Sequence, residues 1–154
     1  MIYFPFKPML TISHALIGAS IATRITNPVI SLPIAVAAHF ICDIIPHWDV
    51  GVNRRARSTK ETFVLAAVDV IFAILLMFVF FSSKVPTIYL LSMFFASTLP
   101  DWLEAPYLFL NWDFFPFGSM YRFQSKLQSK LQFPLGLITQ ALVVFLVYYL
   151  STAI

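Results

Sequence analysis

Two histidines and two aspartates fall within eleven residues in the stretch Ala38-His39-Phe40-Ile41-Cys42-Asp43-Ile44-Ile45-Pro46-His47-Trp48-Asp49. Imidazole and carboxylate are the ligand types that suit Zn, Mn and Fe. An ion held this way makes water a nucleophile near neutral pH. His39 and Asp43 stand at i and i+4, which places them on one face of a helix. Pro46 ends that helix, because the residue before a proline is pushed out of the α region. His47 and Asp49 follow on the turn, within reach of the same point. His14, Asp69 and Asp101 add three more such groups in other apolar segments. The expected ligand set is His14, His39, Asp43, His47 and Asp101, with Asp69 and Asp49 as candidate general bases. The expected cofactor is a divalent metal, zinc first, with Mn or Fe as alternatives. The single cysteine, Cys42, argues against a closed structural zinc site and reads as a small buried hydrophobe.

The elements that must position these groups follow from composition. The chain has 154 residues, 60% of them hydrophobic and 11% charged, with a mean hydropathy of +0.85. Soluble domains carry roughly 25% charged residues, so the composition argues against a water-soluble globule. Seventeen phenylalanines against four glycines favour apolar helices over a glycine-turned barrel. The fold class is an all-α integral membrane bundle forming a single domain over residues 1–154. A spanning helix needs about 20 mostly apolar residues, and five segments qualify, at 9–26, 28–46, 62–83, 85–103 and 133–153. Tight turns containing Pro28 and Pro86 join the first pair and the third to the fourth, whereas 47–61 and 104–132 are longer polar loops.

Charge placement sets the orientation. Lys7, Arg54, Arg55, Arg57, Lys60, Arg122, Lys126 and Lys130 fall on one side, and only Arg24 and Lys84 on the other. The positive-inside rule then puts the N-terminus in the cytoplasm and the C-terminus outside, in the cytoplasmic (inner) membrane. Topology accounts for the basic residues, so no nucleic-acid partner is expected; the expected partner is membrane lipid. Trp48, Trp102 and Trp112 read as an aromatic belt at the inner interface, and Glu104 as interfacial. The twice-repeated Ser-Lys-Leu-Gln within 124–132 reads either as an interfacial helix or as a solvated connector.

Ionisable groups inside a membrane face the protein interior and mark function. His14, His39 with Asp43, Asp69 and Asp101 come from four different segments, all at similar depth on the inner side. The sequence also echoes itself. Ile45-Pro46-His47-Trp48 resembles Leu99-Pro100-Asp101-Trp102, 54 residues on, and His14 and Asp69 are 55 apart. Two parallel helix-hairpin repeats followed by a C-terminal helix would produce this, with the polar site between the repeats. Three functions are compatible with the cluster: hydrolysis of an ester or phosphoester, plausibly of a lipid, at the cytoplasmic face; a proton or cation relay; and a non-catalytic membrane scaffold.

Ser13-His14, His39-x-x-x-Asp43, Pro46-His47-x-Asp49 and Leu99-Pro100-Asp101 together resemble the membrane-bound metal-dependent hydrolases. That group includes the LexA-binding inner-membrane-associated hydrolases, and zinc-dependent phospholipase C-like proteins stand beside it. The resemblance covers the first four helices and implies metal-dependent hydrolysis at the membrane. The chain lacks the group's His-Arg-Gly-x-Thr-His segment, and His47 stands where that group carries aspartate.

Overall fold

A computed structural model describes residues 10–48, 58–129, 131 and 133–153. Over these residues the chain is all-α, with six helices and no strand. The helices are α1 (Thr11–Arg24), α2 (Pro28–Ile44), α3 (Thr59–Phe81), α4 (Thr87–Leu110), α5 (Phe117–Leu127) and α6 (Leu135–Ala153).

The helix ends follow from local chemistry. Asn27 caps α2 by accepting from the Val29 amide at 3.0 Å, and Pro28 supplies a pre-set φ at the first helical position. α3 starts three residues earlier than expected because Ser58 and Glu61 form a capping box. The Glu61 amide donates to Ser58 Oγ at 3.2 Å, and the Ser58 amide donates to Glu61 Oε2 at 2.7 Å. α4 runs seven residues past its expected end at 103, carrying Pro100 and Pro106 inside it, and stops where Asn111 takes a left-handed conformation at φ 58°.

Two helices, Thr59–Phe81 and Leu135–Thr152, are long and apolar enough to cross a membrane. α2 is apolar but has 17 residues. α1 has 14, and at 1.5 Å per residue its length is ~21 Å, short of the ~30 Å hydrocarbon layer. Among the described residues, the expectation of five full-length spans is therefore carried by length and composition only in α3 and α6.

α1 is the central helix, packed against α2, α3, α4 and α6. Its buried face is made of small residues, Ala15, Gly18, Ala19 and Ala22, which let neighbouring backbones come close. Gly18 is required at the crossing with α4, because a Cβ there would lie 2.7 Å from Ser97 Oγ. Ala73, Met77 and Phe81 of α3 and Leu90, Met93 and Phe94 of α4 complete this core at the end away from the polar residues. Most of the apolar side chains of α3 and α6, Phe72, Val79, Leu142 and Phe145 among them, lie at the surface.

The two hairpins are not equivalent. A two-fold axis relating α1–α2 to α3–α4 would match the α1/α4 contact with an α2/α3 contact. α1 packs closely on α4, whereas α2 and α3 hardly meet. The small-residue face of α1 draws α4 onto one side only, and the expected repeat symmetry is lost in the packing.

Candidate metal centre

The residues that converge come from three helices. His14 lies in the first turn of α1, His39 and Asp43 in the last turns of α2, and Asp101 in the second half of α4. His14 Nε2 is 3.3 Å from Asp43 Oδ1, and His39 Nε2 is 3.4 Å from Asp43 Oδ2. Asp101 Oδ1 is 3.5 Å from His39 Nε2. One ligand atom each from His14, His39 and Asp43 fits within 4.8 Å, and all three residues are buried. The two imidazoles stack, with centroids 3.8 Å apart and planes 21° from parallel.

Hydrogen bonding fixes how His39 faces this point. Its Nδ1 is 2.8 Å from the carbonyl oxygen of Ser97. A carbonyl only accepts, so Nδ1 carries the proton, and in the neutral ring Nε2 offers a lone pair to the cluster. A metal-ligating histidine is anchored in this way through its other nitrogen.

The separations suit a shared cation. The Nε2 atoms of His14 and His39 and Oδ1 of Asp101 are buried, and none is in hydrogen-bonding geometry with another described residue. Ligand atoms around a tetrahedral ion at 2.0–2.1 Å lie ~3.3 Å apart, which matches the His14 and His39 contacts with Asp43. The residues present thus fit a divalent ion, with His14, His39 and Asp43 holding it and Asp101 adjoining. Asp101 is also the most open of the four, its side chain 19% exposed.

His47 is brought near but is not in the tight group. It is buried, its Nδ1–H donates to the Ile45 carbonyl at 2.7 Å, and it lies within electrostatic reach of His14. Asp69 does different work. The Thr11 amide donates to its Oδ2 at 2.7 Å and the Ile12 amide to its Oδ1 at 3.4 Å. Asp69 therefore caps the start of α1 from a neighbouring helix, and the first-turn amides are the partner that a carboxylate at this depth requires. Asp49 lies outside the described residues.

The site has a wall that the sequence reading did not assign. The segment leaving α5 pairs with the segment leaving α2. The Ser129 amide donates to the Asp43 carbonyl at 3.0 Å, and the Leu131 amide to the His47 carbonyl at 2.9 Å. Phe123 meets Phe40 edge to face, and Tyr121 meets Tyr107 at 4.1 Å. α5 is thus docked on the bundle by one face: Gln124 is fully buried, and Gln128 Nε2 lies 3.5 Å from Asp43 Oδ2. Glu104 is buried as well, contrary to its interfacial reading. α4 continues as a helix beyond Pro100, so Ser97, Asp101 and Glu104 share one inward face at i, i+4 and i+7. At the start of α6, Thr139 Oγ1 donates to the Pro46 carbonyl at 2.5 Å and Ser13 Oγ to Gln140 Oε1 at 3.0 Å. Gln140 Nε2 donates to the Trp48 carbonyl. These bonds pin the turn that carries His47.

Comparison with protein-family models, with curated proteins and with solved structures finds no match to the chain.

Proposed function

We propose that the chain is a membrane-embedded, metal-dependent hydrolase of an ester or phosphoester, acting at the cytoplasmic face with a lipid as substrate. The observation that carries this reading is the convergence of His14, His39 and Asp43, with His39 anchored through Nδ1 and its Nε2 turned inward. A divalent ion held there supplies Lewis acidity and lowers the pKa of water in its shell to about 7. Asp69 is occupied by the α1 amides, so the role of base passes to Asp101, which adjoins His39 and is partly open. In this scheme a water oxygen forms the new bond to the carbonyl carbon or phosphorus, and the bond to the leaving alcohol oxygen breaks. Asp101 takes the proton from the water and returns it to the leaving oxygen.

A membrane setting accords with the apolar surfaces of α3 and α6, which water would not tolerate. We place α1, α2 and α4 in the same bundle, with the N-terminus inside on the Lys and Arg count. Surface aromatics Trp102, Trp112, Phe114 and Phe115 follow Asp101 along the chain and fit a headgroup-level mouth. The resemblance of the His39-x-x-x-Asp43 and Leu99-Pro100-Asp101 motifs points the same way. A relay would need polar groups continuing through the far half of the bundle, and Met77, Phe81, Leu90, Met93 and Phe94 fill that core.

The test is elemental mass spectrometry of detergent-purified protein after dialysis, with a His39→Ala, Asp43→Ala double variant alongside. About one tightly held ion per chain is expected in the wild type, absent from the variant, together with metal-dependent cleavage of a phospholipid or acyl ester. A wild type that holds no metal after reconstitution with Zn, Mn or Fe removes the catalytic reading.

A further inference from the structure

α5 brings two glutamines to the centre, and their amides form a directed chain. Gln128 Nε2 lies 3.5 Å from Asp43 Oδ2 and 3.4 Å from Gln124 Oε1. A carboxylate offers no proton here, so Gln128 must present its NH2 group to Asp43. The same NH2 group then meets the carbonyl end of Gln124. The orientation of Gln124 is thereby set from the metal ligand outward, and its own NH2 group is the terminus of the chain. That Nε2 is fully buried and has no hydrogen-bond partner among the described residues. A buried amide donor without a partner is costly. Relief comes from an acceptor atom that the described residues do not supply.

We infer that Gln124 Nε2 is an oxyanion donor of the metal centre, binding an oxygen of a phosphoryl group whose ester is the substrate. This rests on the metal-dependent reading above and narrows its substrate class. The donor is well placed for such a task. Gln124 sits one side chain from Asp43 and is held on a helix tied to α2 by the Ser129–Asp43 and Leu131–His47 backbone bonds. A donor fixed before the reaction costs no reorganisation when charge builds on the oxygen it faces. The ligand oxygen comes either from free phosphate or from a lipid headgroup, and the chemistry at Gln124 is the same for both.

The experiment uses the full chain, zinc-loaded in detergent and labelled with 15N-glutamine. Inorganic phosphate is titrated in one arm, and nanodiscs containing phosphatidic acid replace it in the other. Phosphate or phosphatidic acid is expected to shift the Gln124 side-chain amide signal, and the responding arm identifies the source. Gln124→Leu is expected to weaken binding about tenfold to a hundredfold, as loss of a bond to a charged group does, with zinc content unchanged. Gln124→Asn, which keeps an amide but withdraws it by one methylene, is expected to weaken binding too. Unaltered affinity in a zinc-loaded variant, or a Gln124 signal that neither ligand moves, overturns the assignment and leaves the metal centre standing. A wild type without zinc overturns both.

Discussion

Gly18→Ala tests whether the contact between α1 and α4 sets the geometry of the candidate metal centre. The added Cβ would lie 2.7 Å from Ser97 Oγ, 2.8 Å from Ser97 Cβ and 3.1 Å from the Met93 carbonyl oxygen. The hydroxyl can rotate away from its 3.1 Å bond to the Phe94 carbonyl, but Ser97 Cβ and the Met93 carbonyl move only with α4 itself. Carbon atoms pack at ~3.5–4.0 Å, so the two helices must part by nearly an ångström at this crossing. Overpacking of this kind costs ~1–3 kcal/mol. For a chain of this size each kcal/mol moves the melting temperature by about 2–4 °C, which puts the expected loss at several degrees.

The same displacement reaches the proposed metal site without altering a candidate ligand. Ser97 is the residue whose carbonyl holds His39 Nδ1 at 2.8 Å, and His14 lies one turn before Gly18 on α1. Separating the helices lengthens the His39–Ser97 bond and carries His14 away from Asp101. Loss of such an anchoring partner lowers metal affinity about 10–100-fold. The assay is thermal unfolding in detergent, paired with competition against a zinc-chelating dye. Ser97→Gly removes the obstructing atoms. It costs about 1 kcal/mol in helix propensity by itself, yet it is expected to relieve much of the Gly18→Ala defect when the two are combined. The reasoning is refuted if Gly18→Ala leaves both the melting temperature and zinc affinity unchanged, or if the two substitutions add without coupling.

Asp69→Leu takes the cap from α1 and is expected to cost ~1–3 kcal/mol of stability, while Asp69→Asn, which retains an acceptor oxygen, loses less; zinc content and catalysis should survive in Asp69→Asn. Abolished cleavage by a folded, zinc-loaded Asp69→Asn protein would return the base to Asp69. Ser58→Ala breaks the capping box at the start of α3 and is expected to cost about 1 kcal/mol, read as a small fall in melting temperature with metal content intact. A loss of metal in Ser58→Ala would mean that the α3 start is coupled to the centre more tightly than its contacts indicate.

The metal-competent residues were legible because an apolar chain gives polar groups few reasons to exist. His14, His39, Asp43 and Asp101 stood out against helices of Ala, Ile, Leu and Phe, and the i, i+4 spacing alone placed His39 beside Asp43. What misled is equally physical. α4 read as ending at 103, and propensity weighs against Pro106 in a helix interior. Packing against α1 and α2 overrode it, and the continuation of α4 turned Glu104 inward. The stripe Leu90, Met93, Phe94, Ser97, Asp101, Glu104 keeps one helical face through the proline, and that periodicity was the available signal. In the 124–132 repeat the lysines and leucines drew the eye, whereas Gln124 and Gln128 have the same four-residue spacing and are the side that faces the site. Glutamine carries no charge to mark it as costly, so only contact with Asp43 reveals its role. Asp69 shows the converse limit: a buried carboxylate needs a partner, but the sequence could not show that the partner is the amide end of α1, 57 and 58 residues away. In this chain the sequence names the charged candidates, and the helix packing names the neutral groups that orient them.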